Sequence, residues 1–407
     1  MIIMLNERTI EIIKSTVPVL EVHGRNITTV FYRNMFHHHP ELLNIFNHAN
    51  QRQGKQPTAL ANAVYAAAAN IDRLETILPV VKQIGEKHRA LNILPEHYPI
   101  VGENLLGAIK EVLGDAATPE IMDAWAEAYG VIADVFIGVE AEMYDAAEGQ
   151  PGGWRGFRRF VVDRKVKESE VITSFYLKPE DGQPISSYEP GQYITVRIKP
   201  EGEIYTHIRH YSLSEAPGAD HYRISVKRED AGEDKPAGIV STWLHREAEV
   251  GTVLEVSAPA GSFTLDQTTD RPLALISGGV GLTPMVSMLE TVLSRQPDRS
   301  VTFIHAAIDG SHHAMKEHIE QLAASHPQLT SYVVYECPRD GEVCHKDGYI
   351  DLAFLRDKVD PQSDFYFCGP QPFMASVNRD LKALGVPDER LHYEFFGPAG
   401  SLEAQAN

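Results

Sequence analysis

Cysteine is scarce in this sequence: three in 407 residues. So odd and sparse a set excludes a disulfide scaffold, and without a cysteine cluster an iron–sulfur centre lacks ligands. The reducing cytoplasm is the expected location. Positive charge is also in deficit. Lys plus Arg number 37 against 56 Asp plus Glu, a formal net charge of −19. Such a chain is poorly suited to neutralising phosphates, so sequence-independent nucleic-acid binding is excluded, and anionic membrane surfaces repel it. Long apolar runs are missing too. The longest, Leu273–Leu293, is broken by Gly278-Gly279, Gly281 and Pro284, which reads as strand, turn and helix rather than a membrane span. At the start, Met1–Leu5 meets Asn6-Glu7-Arg8 at once, too short for a signal-peptide core.

What is present is ordinary globular material. Hydrophobic residues make up 43% and charged residues 23%, which excludes wholesale disorder. At roughly 150 residues per domain, the length predicts two to three domains. Residues 1–148 read almost entirely as helix. Over 121–146, Trp125, Tyr129, Ile132, Phe136 and Met143 fall at the spacing of one buried face. Glu140 lies on that same face. His88 follows Leu74, Ile77, Val81 and Ile84 at helical spacing. A carboxylate and an imidazole pointing into one helical core need a reason.

Gly149-Gln150-Pro151-Gly152-Gly153 marks a linker. Beyond it, over 154–266, the pattern alternates. Ile194, Val196 and Ile198 share one face of a strand, and Arg209–Ser214, Tyr222–Lys227 and Thr252–Ser257 are further strands. Short strands with Gly/Pro turns predict a small antiparallel β-barrel. Over 271–407, apolar strands (Leu273–Ile276, Val301–Ala307, Tyr332–Tyr335, Phe365–Cys368, Leu391–Phe396) alternate with helices such as Pro284–Leu293 and Pro372–Leu384. This is the pattern of a parallel sheet covered on both faces. The fold class is therefore multidomain: all-α, then antiparallel barrel, then α/β parallel sheet.

The strongest local motif follows the strand Leu273–Ile276. Ser277-Gly278-Gly279-Val280-Gly281-Leu282-Thr283 is a Gly-rich turn, and Pro284 is read as the first helical residue. Glycines let a backbone approach a pyrophosphate, and a helix N-terminus offers free amides to it. Pro284 stands where the third glycine of GxGxxG would be. A second turn, Cys368-Gly369-Pro370, ends a later strand on the edge where such sheets bind ligands. In the middle region, Arg209-His210-Tyr211-Ser212 offers a phosphate-binding charge, an aromatic face and a hydroxyl, with Tyr193 preceding it. Taken alone, that segment is equally an ordinary barrel strand.

Together these segments resemble the ferredoxin–NADP reductase superfamily. That resemblance implies FAD held by Arg209, Tyr211 and Ser212, with Tyr193 and His210 beside them. It implies NADH or NADPH at Gly279, Val280, Gly281, Leu282, Thr283 and Pro284. The last segment, Glu394-Phe395-Phe396-Gly397-Pro398, would bring an aromatic to the flavin from the sheet's last strand. The helical region adds Phe31-Tyr32, Pro40–Phe46, Asn50–Gly54, Gln56, Leu60, Lys87-His88, Tyr98 and Glu140. In order and spacing these resemble the globin domain of flavohemoglobins, the bacterial and fungal nitric oxide dioxygenases.

That resemblance covers essentially the whole chain. It implies haem b with His88 as proximal iron ligand, and Glu140 and Tyr98 hydrogen-bonded around it. Tyr32, Gln56 and Leu60 would line the distal pocket, with Phe46 against the haem. Lys87 and Glu394 would lie on the electron path. The implied activity runs from NAD(P)H through FAD to haem one electron at a time, and converts nitric oxide and oxygen to nitrate. No obligatory protein partner is expected. A haem sensor and a haem-independent flavin reductase remain as alternatives. Two weaker signals have plainer readings. His37-His38-His39 cannot converge on one ion and reads as a solvated helix start, and Cys337, Cys344 and His345 lack a fourth zinc ligand.

Overall fold

The computed structural model describes residues 5–47, 51, 54–232, 236–397 and 402. Pro398 lies outside the described residues. The chain divides into two compact units: Met1–Phe157 with Arg197–Arg209 and Gly397–Ala399, and the remainder.

The first unit is helical. Helix α1 (Glu7–His38) starts where the Asn6 side chain accepts from the Thr9 N–H at 2.9 Å. Its buried face carries Ile13, Leu20, Ile27, Phe31, Tyr32 and Met35. A 3₁₀ turn (Pro40–Asn44) follows, then α2 (Lys55–Ala69), α3 (Leu78–Leu91), α4 (His97–Leu113) and α5 (Pro119–Gly149). Leu74 and Ile77 do not continue the helix of His88 as their spacing predicts. They form a separate 3₁₀ turn, Leu74–Ile77. The cause is Pro79 in the first turn of α3: it has no N–H to give a preceding turn and favours a helix start. His37 and His38 end α1 rather than start a helix, where imidazoles meet unpaired carbonyls. Where α4 meets α5, a Cβ on Gly102 would stand 2.5 Å from the Tyr129 ring, so only glycine admits that approach.

Six strands follow in sequence, most of their residues in the second unit: β1 (Phe157–Lys167), β2 (Ile172–Pro179), β3 (Tyr193–Ile198), β4 (His207–Ser212), β5 (Tyr222–Lys227) and β6 (Val253–Ser257). Their order is β4-β3-β6-β1-β2-β5. An antiparallel bridge from Leu213 to Ile224 returns the first strand of that order to the last, closing a barrel. Phe160, Val162, Phe175, Leu177, Ile194, Val196, Ile224 and Val256 are fully buried. Helix α6 (Ile239–Arg246) lies between β5 and β6 in sequence.

Then come β7 (Leu273–Gly278), α7 (Leu282–Arg295), β8 (Val301–Ala307), α8 (Lys316–Ser325), β9 (Leu329–Tyr335), β10 (Lys346–Asp347), α9 (Leu352–Lys358), β11 (Asp364–Cys368), α10 (Gln371–Ala383) and β12 (Leu391–Tyr393). The sheet order is β10-β9-β8-β7-β11-β12, all parallel. Every residue of β7 is buried, as a central parallel strand requires. Two expectations shift. Helix α7 begins at Leu282, so Pro284 is its third residue, still where no intrahelical N–H is needed. Strand β12 stops at Tyr393, short of Phe396, because its partner β11 turns away just beyond Phe367, the partner of Tyr393.

Candidate functional site

The helical unit gathers its polar core residues around one imidazole. His88 sits in the last turn of α3. Its Nδ1 lies 2.7 Å from Glu140 Oε1 on α5. Tyr98, in the first turn of α4, donates its hydroxyl to the same oxygen at 2.7 Å. Glu140 is only 3% exposed, and a buried carboxylate is tolerated because two donors meet it. Burial and the adjacent carboxylate push the Tyr98 phenol well above its ordinary value, so it stays a donor. Tyr129 fixes this turn by donating to the Tyr98 carbonyl at 2.6 Å.

The His88 side chain keeps 32% of its surface, although Val81, Gly85, Arg89 and Ala90 of the same helix are buried. With Nδ1 engaged, Nε2 is the nitrogen left for a metal. One imidazole held by a buried carboxylate, beside apolar surface, is a donor set that suits haem iron. The apolar surface is present in the same unit. Phe46 and Leu60 pack on the core while staying partly exposed. The rings of Tyr32 and Phe46 are 5.8 Å apart, and those of Phe36 and Phe46 5.2 Å.

Tyr32 is buried on α1, and desolvation holds its phenol far above the ordinary value. The amide side chains of Gln56 and Gln51 reach its hydroxyl. Leu60 lies one turn along α2 from Gln56. Gln51 also keeps a buried Nε2 with no hydrogen-bond partner among the described residues, and nothing in its sequence context singles it out. Lys87, next to His88, has Nζ 3.5 Å from the Gly397 carbonyl, within the same unit. His38 reaches Asn104 at 3.2 Å and His39 reaches Glu41 at 3.2 Å. Among the described residues, no group of three or more His, Cys, Asp or Glu is placed to hold a metal ion.

The parallel sheet changes winding direction between β7 and β11, since β8 and β9 lie to one side and β12 to the other. Ligands of such sheets bind at the carboxyl ends of the strands beside that point. Both glycine turns are there. Gly279 has φ +54° and nothing within 4 Å of an added Cβ, so it leaves room for a ligand. Gly278 and Gly281 answer to packing instead. A Cβ would meet the Phe373 ring at 3.1 Å and the Cys368 carbonyl at 2.2 Å, respectively. Val280, Leu282, Thr283 and Pro284 complete the turn, with Thr283 Oγ1 donating to the Val280 carbonyl at 3.0 Å.

In the barrel, Arg209 and Tyr211 alternate with His210 and Ser212 along β4. Arg209 donates to the Ile208 carbonyl at 2.6 Å. The ring of Tyr193 lies 4.8 Å from that of His210, whose Nδ1 reaches Thr195 at 2.8 Å. Beyond β12, the Glu394 carbonyl takes a contact from Cys368 at 3.5 Å. Phe395 packs into the core and Phe396 is half exposed.

Fold and site define a class: a globin domain joined to a two-domain flavin and nicotinamide reductase. Family models agree. Globin matches residues 29–136, the oxidoreductase FAD-binding domain 159–265, and the oxidoreductase NAD-binding domain 275–379. The flavohemoprotein of Halalkalibacterium halodurans is 56% identical over 98% of both chains. That of Bacillus subtilis is 53% identical, covering 98% of this chain and 99% of its own. The flavohemoglobin of Malassezia yamatoensis, solved with bound FAD and heme, superposes with a TM-score of 0.83 at 27% identity, over 97% of this chain and all of its own. The FAD/NAD-binding domain of the Vibrio cholerae nitric oxide dioxygenase covers 60% of this chain at 43% identity and a TM-score of 0.55.

The chain belongs to the flavohemoprotein family. Its cofactors are haem, FAD and a nicotinamide dinucleotide, and it is an oxidoreductase that carries electrons from the last through FAD to haem. No described helix is long and apolar enough to cross a membrane.

Proposed function

We propose that this protein is a nitric oxide dioxygenase, taking electrons from NAD(P)H to convert nitric oxide and oxygen into nitrate. The observation that carries the reading is the His88–Glu140–Tyr98 cluster in a chain that also holds a complete reductase. A globin that only stores oxygen has no use for a fused electron supply. When bound, the three groups supply a hydride acceptor that releases single electrons and an iron that takes up diatomic gases.

The protein's own residues do the rest. His88 offers Nε2 while Nδ1 donates to Glu140, and the carboxylate fixes the tautomer and ring orientation of the imidazole. Tyr98 shares that carboxylate and fixes its orientation. Tyr32 keeps its proton across physiological pH and can donate toward a ligand in the distal pocket, with Gln56 and Gln51 orienting the hydroxyl. Leu60 and Phe46 exclude water. Arg209, Tyr211 and Ser212, with Tyr193 and His210, hold the flavin nucleotide. Gly279 to Pro284 receive the pyrophosphate at the start of α7. Lys87 and Glu394 lie on the electron path, with Phe395 and Phe396 bringing an aromatic to the flavin. Residues 1–148, 154–266 and 271–407 form the three functional domains.

An anaerobic absorption spectrum of the haem-supplemented protein tests this, taken before and after NADH and again after air and nitric oxide. A Soret band that shifts on reduction, followed by loss of nitric oxide, is the expected result. A flavin that bleaches while no Soret band forms would leave only the reductase.

A further inference from the structure

Helix α7 carries the glycine turn at its N-terminus and is buried along almost its whole length. One carboxylate interrupts that apolar helix. Glu290 is half-buried and meets three donors. His318 Nε2 on α8 lies at 2.7 Å, the Ala216 backbone N–H at 2.7 Å, and Arg223 Nη2 on β5 at 3.3 Å. Ala216 and Arg223 belong to the barrel, so Glu290 ties the helix of the nicotinamide domain to the flavin domain.

The barrel side of this tie is the segment that leaves β4 immediately after Tyr211 and Ser212. Residues 214–216 are pinned along their whole length. Arg223 donates to the Ser214 carbonyl. Ser287 Oγ on α7 and Tyr188 Oη both donate to the Glu215 carbonyl, at 2.6 and 2.7 Å. Ala216 donates to Glu290. One turn of α7 thus holds this segment through Ser287 and Glu290 together. From Thr283 at the turn to Glu290 is seven residues of helix, or about 10 Å of a rigid rod. The motif for one nucleotide is thereby linked through a few fixed bonds to the motif for the other.

We propose that Glu290 is a positioning residue for hydride transfer, setting where the nicotinamide helix stands relative to the flavin segment. The step it serves moves two electrons and a proton as hydride from the dihydronicotinamide to the flavin, oxidising the first and reducing the second. Such a step needs the reacting atoms about 3–3.5 Å apart, and a misplacement of about 1 Å slows it about a hundredfold. A carboxylate gripped by Arg223, His318 and a backbone amide holds that alignment better than apolar packing, which tolerates sliding. The inference rests on electron flow from the nicotinamide nucleotide to FAD, and it is independent of what the haem does with the electrons.

The test is anaerobic stopped-flow reduction of FAD in the full-length holoenzyme by NADH and by NADH deuterated at the transferred position. Glu290→Gln keeps the acceptor for Ala216 and removes the charge; His318→Asn removes one arm at the surface. In Glu290→Gln the flavin-reduction rate at saturating NADH is expected to fall about tenfold or more. FAD content, flavin spectrum and the dissociation constant for NADH should hold near wild type, and the isotope effect should rise. His318→Asn should show a smaller loss of the same kind. Saturating rates equal to wild type in both variants would overturn the proposal. So would a loss accounted for by weaker NADH binding or by missing FAD. A wild-type flavin that NADH does not reduce would instead refute the electron-flow reading beneath it.

Discussion

Replacing Glu140 with Gln examines the iron site at its most buried point. The substitution keeps the side-chain volume and an oxygen facing both His88 Nδ1 and Tyr98 Oη, each 2.7 Å away in the native protein. Only the charge is lost. A hydrogen bond to a charged group contributes about 1.5–3 kcal/mol and a neutral one about 0.5–1.5 kcal/mol, so the His88 bond weakens by about 1–1.5 kcal/mol. The carboxylate favours the oxidised metal through the imidazole, so its removal raises the haem midpoint potential. With about 59 mV per tenfold for one electron, the rise is about 40–60 mV. Stability moves little, because the lost bond energy is offset by no longer burying a charge in a residue only 3% exposed. Spectroelectrochemical titration of the holoenzyme and urea unfolding read the two quantities. A midpoint unmoved or lowered, with an intact Soret band, would refute the reasoning.

Tyr32→Phe removes the buried hydroxyl while keeping the ring that packs 4.8 Å from Phe31; NADH-driven flavin reduction should be unchanged while oxygen dissociates about tenfold faster, the loss of about 1.4 kcal/mol, measured by flash photolysis. Gly281→Ala places a Cβ 2.2 Å from the Cys368 carbonyl, so unfolding free energy should drop by about 1–3 kcal/mol and NADH should bind more weakly, read by urea titration and calorimetry. His313 is buried and its imidazole is pushed down to about 4 by desolvation, below its ordinary 6.5. The unfolded chain then binds the extra proton first. The stability this group contributes is fully present above pH 6.5 and declines as pH falls toward 4, by up to about 1.4 kcal/mol per pH unit. His313→Gln should flatten that part of the curve in urea titrations at stepped pH, and an unchanged slope would contradict the assignment.

Much of this architecture is legible in the residues because its periodicities are clean. The face of α5 that holds Trp125 and Glu140 follows from spacing alone, and the parallel strands follow from apolar runs between turns. The misreadings have physical causes. Proline in the first turn of α3 cut one apparent helix in two, and β12 lost its last residues because its neighbouring strand turned away. Glycines at 278 and 281 suggest ligand contact in sequence but are explained by the Phe373 ring and the Cys368 carbonyl. Glu290 was missed because its partners come from the distant residues Ala216, Arg223 and His318. Its one local signal was a carboxylate inside an otherwise apolar helix, the same signal that singled out Glu140. Gln51 offered no comparable sign, since nothing in its neighbours tells which way its amide points.

The most direct test of nitric oxide dioxygenation is stoichiometric. The haem-supplemented enzyme would be given limiting NADH with excess oxygen and nitric oxide, and nitrate would be counted. NADH yields two electrons and each nitrate formed from nitric oxide and oxygen takes one, so two nitrates per NADH are expected. Complete NADH oxidation with peroxide or nitrite in place of nitrate would contradict the account.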